Sequence, residues 1–271
     1  MTMNRREIGA GTLALSGVAA ALLASPAAAQ TAGASRLQAV QQAGVIRFGT
    51  TGDFNPMSFR DAASRELRGH QIDAARQLAA DMNLRAEFVP TDWRTLINGL
   101  QAGQYDAVFT GTSMSVARAM AASFTMPWGR NAFVPLVSRA NAGRFRDWDA
   151  LNQRGVTIGT NLGTTMEQFV QQSLPNATLR RVESPARDWQ ELLAGRVDAT
   201  MSSLIEAAFL TKEYPQLVSI LADKPRNPIP MAFMVAAGDP TWLTFLNAWT
   251  TIRQASGFFD EINTRWGLVQ A

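Results

Sequence analysis

Cysteine is absent from the 271 residues, and histidine occurs once, at His70. Disulfides, thiolate metal sites and cysteine nucleophiles are therefore excluded, and a Ser-His-Asp arrangement would have to use His70. Lysine is nearly missing, contributing two of the 25 basic residues. Charged residues are 17% of the chain, and 25 Lys+Arg against 22 Asp+Glu leave a balance of only +3. That is too small for nucleic-acid binding, and no basic run interleaves with aromatics. What is present is a chain 46% apolar, enough for a real core and too much for disorder. Chemistry here falls to carboxylates, hydroxyls, arginines and backbone groups, with no metal or cofactor expected.

The first residues read as a targeting segment. Asn4-Arg5-Arg6-Glu7 precedes an uncharged stretch over 8–35 whose heart, 13–24, is rich in Ala, Leu and Gly. Pro26 and then Ala27-Ala28-Ala29 follow, which is the charged, apolar, small-residue order of an export signal cleaved near Ala29. The paired arginines point to the twin-arginine route. The apolar heart is short against the ~20 residues of a membrane span, and no Cys follows to carry a lipid. A mature protein in the periplasm, with no membrane insertion after cleavage, is the expectation.

The remaining chain alternates strand and helix patterns. Short β-type runs at 45–49, 86–89 and 107–110 are separated by helical stripes at 72–82 and 93–100. The order repeats with strands at 156–159, 178–182 and 199–201 and helices at 165–174, 188–193 and 204–210. Each half holds the same local phrase. Trp93-Arg-Thr-Leu96 leads to Gly103-Gln-Tyr-Asp106-Ala107, and Trp189-Gln-Glu-Leu192 leads to Gly195-Arg-Val-Asp198-Ala199, with the two Asp 92 residues apart. A β-α-β-α-β order predicts an α/β protein of two similar lobes, each a mostly parallel sheet flanked by helices. Ligands of open α/β sheets bind beyond the carboxyl ends of the strands, so facing lobes make a cleft. The expected boundaries are 38–137 plus 230–271 for lobe one and 138–229 for lobe two, with crossings at 135–139 and 228–230. A strand at 231–235 and helices at 242–252 and 258–266 return to lobe one.

Candidate site residues lie where strands end. Thr110-Gly111-Thr-Ser113 leads toward Arg118, which has the fork to hold a carboxylate through two parallel hydrogen bonds. Asn161-Leu-Gly163-Thr164-Thr165-Met-Glu167 has the same strand, glycine, hydroxyl, helix form. Thr164-x-x-Glu167 also fits a capping box, leaving Thr165 to face a ligand. Phe54 and Trp93 are flat rings placed to clamp a ligand's body. His70 reads as a surface or satisfied residue rather than a catalyst.

Gly49-Thr-Thr-Gly-Asp53-Phe54-Asn-Pro56, Gly69-His-Gln-Ile-Asp73, Gly111-Thr-Ser113-Met-Ser-Val-Ala-Arg118 and Gly163-Thr-Thr165 together resemble the periplasmic solute-binding proteins of family 3, the amino-acid type. The resemblance runs from about Val45 to Trp266 and implies the two-lobed type II periplasmic binding protein fold. It implies that Arg118, Ser113 and Thr165 hold a ligand carboxylate and that Phe54 and Trp93 sandwich the ligand. The family's usual Asp for an α-ammonium falls at Ser203. That substitution points to a carboxylate without an ammonium, unless Asp53 or Glu167 supplies the charge.

Val89-Pro-Thr-x-Trp93 and Thr165-x-Glu167-x-Phe169 also resemble the cyclohexadienyl (prephenate/arogenate) dehydratase branch of that scaffold. There Glu167 matches the general acid. Ser115, Phe133 and Ser203 stand where that branch has polar groups suited to an elimination, which favours binding over catalysis. The resemblance therefore implies a monomeric binding protein for a small carboxylate-bearing solute, amino-acid-like or an organic acid, with an inner-membrane ABC permease as partner and the dehydratase as the alternative.

Overall fold

Strand Val45–Thr50 is the axis of the first lobe in the computed structural model, which describes residues 35–268. Arg85–Pro90 and Ala107–Val108 lie parallel on its two sides, Met234–Val235 adds antiparallel to Ala107–Val108, and Ser123–Phe124 closes the edge. The second sheet has Thr178–Val182, Thr157–Asn161 and Ala199–Ser203 parallel, with Gly129–Ser138 antiparallel beside them. Leu217–Ser219 and Arg226–Met231 pair with the far side of Gly129–Ser138. Each lobe is thus three parallel strands extended by antiparallel ones. The export signal expected at 1–29 lies outside the described residues.

The helices follow the predicted order: His70–Asp81 and Leu96–Gln101 in lobe one, Thr165–Ser173, Asp188–Leu193 and Leu204–Glu213 in lobe two, and Pro240–Ala255 and Phe258–Arg265 at the end. They pack on the sheets so that the inner strands Ala107–Val108, Thr157–Asn161 and Ala199–Ser203 are almost wholly buried, while Arg85–Pro90 and Thr178–Val182 at the edges keep exposed residues. Along Gly129–Ser138, Phe133 and Val137 enter one core of lobe two while Val134 and Leu136 enter the other, the alternation of a pleated strand. No described helix is long and apolar enough to cross a membrane.

The repeated phrase has a structural purpose. Gly103 and Gly195 take φ of 67° and 68°, the left-handed geometry that ends a helix without a Cβ penalty. Three residues on, Asp106 accepts the Arg47 N–H at 2.7 Å and Asp198 accepts the Thr157 N–H at 2.8 Å. Each Asp stitches the new strand to the first strand of its lobe.

The first crossing lies earlier in the chain than the expected 135–139. Pro135 marks no linker: it lies inside Gly129–Ser138, in register with Met201, and its carbonyl accepts the Ile220 N–H at 3.1 Å. The chain passes between lobes near Gly129 and back near Pro230, with Ile229 in a lobe-two core and Met231 in the core of lobe one; Trp128 N–H reaches Met231 O at 3.0 Å and Thr125 N–H reaches Phe233 O at 2.9 Å. These two side-by-side segments connect the lobes. A small antiparallel sheet of Asp53–Phe54, Ser58–Arg60 and Leu67–Arg68, absent from the sequence reading, carries Asp53 and Phe54 to the cleft.

Candidate functional site

A cavity of about 440 Å³ lies between the lobes. Lobe one contributes Phe54, Trp93, Gly111, Ser113 and Arg118, and lobe two contributes Asn161, Thr165, Arg187, Asp188 and Glu206. Seven of the residues singled out from sequence therefore meet here. The wall also includes Thr164, Met166 and Met201.

Arg118 follows the hydroxyl-rich turn after Ala107–Val108, on a short helix capped by Ser115, whose Oγ accepts the Arg118 N–H at 3.3 Å. Its guanidinium donates to two backbone carbonyls, Ser113 O at 3.0 Å and Gly163 O at 3.1 Å. It pairs with no carboxylate among the described residues. Burial without a counter-charge lowers its pKa to about 10. Phe54 and Trp93 meet edge to face with ring centroids 6.1 Å apart, and the Arg118 guanidinium carbon lies 5.9 Å from the Trp93 ring centroid.

The opposite wall is a charge cluster. Arg187 donates to Asp53 at 2.6 Å and to Glu206 at 2.7 Å, and its Nε is buried without a partner. Burial alone would depress Arg187, but the carboxylates of Glu206, Asp53 and Asp188 outweigh it and raise its pKa. Glu206 is raised by burial, with Arg187 opposing and Asp53 adding to the rise. Asp188 is pushed up to about 7, first by burial and then by the Glu206 and Asp53 charges, against the pull of Arg187. Asn161 ties this wall to the first strand of its lobe: its amide donates to Ala186 O at 3.0 Å and its Oδ1 accepts the Asp188 N–H at 3.3 Å.

Three residues marked in the sequence stand off the cavity wall. Thr110 is fully buried, its hydroxyl shared with Thr51 and Ser58 at 2.8 and 2.7 Å, so it braces the strand end. Ser203 is fully buried and accepts the Glu206 N–H at 3.0 Å, capping helix Leu204–Glu213 instead of facing a ligand. Glu167 is spent on its own helix start, accepting the Gly163 N–H at 2.8 Å and the Arg181 guanidinium at 2.5 Å. The Thr164 hydroxyl completes that cap by accepting the Glu167 N–H at 3.2 Å.

His70 is buried, with its ring nitrogens 3.0 Å from Asn263 Oδ1 and Gln71 Nε2, and burial lowers its pKa to about 3. It is a satisfied core residue. The sequence reading missed Arg187, Asp188 and Glu206 as site residues. The usable signal was the Arg187-Asp188 pair opening a helix just beyond strand Thr178–Val182, at the carboxyl edge where cleft residues gather. Ser203 brings no carboxylate to the wall, and neither of the residues expected to replace it, Asp53 and Glu167, lines the cavity; Asp188 and Glu206 do.

Residues 46–269 match the family model of the bacterial extracellular solute-binding proteins, family 3. The cyclohexadienyl dehydratase of Pseudomonas aeruginosa is 28% identical over 246 residues, covering 91% of this chain and 90% of that one. An arginine-binding protein of an ABC transporter in Escherichia coli is 27% identical over 225 residues, 82% and 90% of the two chains. Among solved structures, an ancestral amino acid-binding protein described as a precursor of cyclohexadienyl dehydratase superposes with a TM-score of 0.80 at 31% identity, over 86% of this chain and 99% of that one. A fold shared at that TM-score and a family match spanning both lobes make one conclusion: the chain belongs to the bacterial extracellular solute-binding proteins of family 3.

Proposed function

We propose that the cleft captures a small carboxylate-bearing, amino-acid-like solute in the periplasm and that the closed, loaded form hands it to an inner-membrane ABC permease. The observation that carries this reading is Arg118, buried on the cavity wall with only backbone acceptors. Keeping an unpaired guanidinium out of water costs several kcal/mol. A ligand carboxylate offsets that cost and leaves two parallel hydrogen bonds in a dry site. The match to amino-acid-binding relatives, an arginine-binding one among them, supports the amino-acid-like class. The dehydratase alternative needs Glu167 as a proton donor to bound substrate. Glu167 lies off the cavity wall with both oxygens engaged, which favours binding.

The test is a thermal-shift screen of amino acids and small organic acids on the purified protein. A true ligand at 100 times its Kd adds ~2.7 kcal/mol of stability. The proposal predicts that one or a few carboxylate-bearing compounds raise the melting temperature and that the amides of the same compounds do not. Equal shifts by acids and their amides would contradict it.

A further inference from the structure

The acidic wall of the cleft is already served by a cation of the protein's own. Arg187 stands at the N-terminal end of helix Asp188–Leu193, where its backbone N–H donates to Gln190 Oε1 at 3.0 Å. It lines the cavity with 8% of the residue exposed. Two of its guanidinium nitrogens are spent, Nη1 on Asp53 of lobe one at 2.6 Å and Nη2 on Glu206 of lobe two at 2.7 Å. The other oxygen of each acid is taken too. Asp53 accepts the Trp93 indole N–H at 3.1 Å, and Glu206 accepts the Ser202 hydroxyl at 3.1 Å. Asp188 feels the same guanidinium, since its charge joins those of Glu206 and Asp53 in raising the Arg187 pKa. The third nitrogen, Nε, is buried with no acceptor. What this corner holds in reserve is an N–H on a cation, with no unpaired oxygen on Asp53 or Glu206.

We infer that Arg187 is a specificity-determining residue, a resident guanidinium filling the cation place between Asp53 and Glu206, so that the cleft takes carboxylate-bearing ligands with an uncharged side chain and refuses those with a cationic one. The inference rests on the Arg118 reading for where the ligand's carboxylate sits and adds what its other end cannot be. A lysine- or arginine-like side chain reaching this wall meets the Arg187 charge, and like charges repel strongly where water is excluded. To pair with Asp53 or Glu206 it would have to displace a guanidinium tethered to the chain, leaving that charge buried without partners. A side chain ending in a carbonyl or hydroxyl instead brings an acceptor, which is what the Nε–H lacks. Arg187 also ties lobe one to lobe two through its two acids, so one side chain both fastens the cleft and sets its charge preference.

The reverse follows from the same geometry. Arg187→Ala empties a guanidinium-sized place between Asp53 and Glu206, beside Asp188 and opening on the cavity. A guanidinium from solution, or one carried by a ligand, then completes both ion pairs and reconnects the lobes. The refusal of cationic side chains becomes a preference for them.

The experiment is calorimetry on the purified protein with L-lysine, L-arginine and the strongest binder with an uncharged side chain from a thermal-shift panel of amino and organic acids, repeated on Arg187→Ala and Arg187→Lys. The unaltered protein should bind the uncharged ligand at least roughly tenfold tighter than lysine or arginine. In Arg187→Ala the order inverts: the uncharged ligand weakens and arginine gains at least roughly tenfold. Arg187→Lys keeps the charge and therefore the refusal, which separates lost selection from a damaged fold. Methylguanidinium chloride, a probe with no carboxylate, should raise the melting temperature of Arg187→Ala above its value in potassium chloride of equal ionic strength, and should not do so for the unaltered protein. Lysine or arginine binding the unaltered protein within about threefold of the uncharged ligand would overturn the inference, and that arm needs no variant to fold. A folded Arg187→Ala protein that gains neither arginine nor methylguanidinium would overturn it as well. Arg118→Ala distinguishes the two readings. Ligand binding indifferent to Arg118→Ala, with methylguanidinium still captured by Arg187→Ala, removes the Arg118 reading alone. Binding abolished by Arg118→Ala, with no cationic gain in Arg187→Ala, removes only the role of Arg187.

Discussion

Asp53 of lobe one and Arg187 of lobe two join across the cleft at 2.6 Å, and the Trp93 indole N–H holds the other Asp53 oxygen at 3.1 Å. The pair spans the lobes, so it exists only while they are closed. It forms a latch beside the ligand cavity, with side chains 16% and 10% exposed for Asp53 and Arg187. Asp53→Asn keeps the shape and removes the charge. A charge-assisted hydrogen bond in so dry a place contributes about 1.5–3 kcal/mol, so ligand affinity should fall roughly tenfold to a hundredfold, mostly through faster release. Stopped-flow tryptophan fluorescence, with Trp93 on the cavity wall, reads the release rate directly. An unchanged rate would show that the latch does not control closure.

Closure also depends on an absent side chain. Gly163 of lobe two has φ of 82°, and a Cβ there would sit 2.6 Å from the Arg94 backbone nitrogen of lobe one. Backbone cannot yield as a flexible side chain does, so the lobes meet only because position 163 is glycine. Gly163→Ala should leave each lobe folded but hold the cleft ajar, weakening ligand binding roughly tenfold or more, the equivalent of about 1.4 kcal/mol. Small-angle scattering with saturating ligand should show a larger radius of gyration than the unaltered protein. Full compaction in the variant would contradict this.

Two buried groups give the ligand-free protein a stability maximum in pH. His70 is lowered to about 3 when folded, so stability is lost as pH falls below its ordinary 6.5 and the unfolded chain takes up the proton. Asp188 is raised to about 7, so its contribution is complete below 3.8 and is lost as pH rises through 7. Between 3.8 and 6.5 the two slopes offset each other, so the melting temperature of the ligand-free protein should be broadly flat there and fall on either side. Asp188→Asn should stabilise it at pH 8 by on the order of 1–4 kcal/mol, since each tenfold change in proton affinity on folding is worth about 1.4 kcal/mol. Melting curves extending below pH 3.8 and above pH 6.5 check both limbs. A drop in melting temperature for Asp188→Asn at pH 8 would contradict the assignment of Asp188 as an unrelieved buried acid.

Much of this was legible in the chain itself. The β-α-β-α-β order, the doubled Gly-x-x-Asp phrase and the strand-end glycines placed two lobes and a cleft, and Arg118, Ser113, Thr165, Phe54 and Trp93 meet where strand ends predict. Thr178–Val182 and Asp188–Leu193 have the bounds read from pattern alone. The boundary at 135–139 misled because proline is rare inside a central strand. Here Pro135 lies within a strand paired on both sides, and its lack of an N–H is a local defect that the flanking pairs tolerate. Arg187, Asp188 and Glu206 were hidden for another reason. Arg187's partners are 134 and 19 residues away, at Asp53 and Glu206, so the Arg187-Asp188 pair at a strand's carboxyl edge was the one local sign of a long-range charge cluster.

The geometry of Glu167 bears on catalysis. Its carboxylate accepts the Gly163 N–H and the Arg181 guanidinium, outside the cavity wall. General acid catalysis needs a donor within hydrogen-bond reach of the leaving group and contributes ~10²–10⁴-fold. Incubation with prephenate, followed by phenylpyruvate absorbance in alkali, should show no turnover above the uncatalysed background, with Glu167→Gln indistinguishable from the unaltered protein. Turnover near ~10 per second, a median enzyme, that is abolished by Glu167→Gln would establish the dehydratase instead.

The most direct measurement of the central claim is calorimetry of Arg118→Ala with the ligand found by thermal-shift screening. Arg118 reaches Ser113 O and Gly163 O and no carboxylate, so its charge is reserved for the ligand. Truncation should cost about 2–5 kcal/mol of affinity, because the ligand carboxylate is then closed into the cleft without its charged partner. Folding should survive, since the side chain anchors no core residue. Affinity within about threefold of the unaltered protein, under ~1 kcal/mol, would contradict the account.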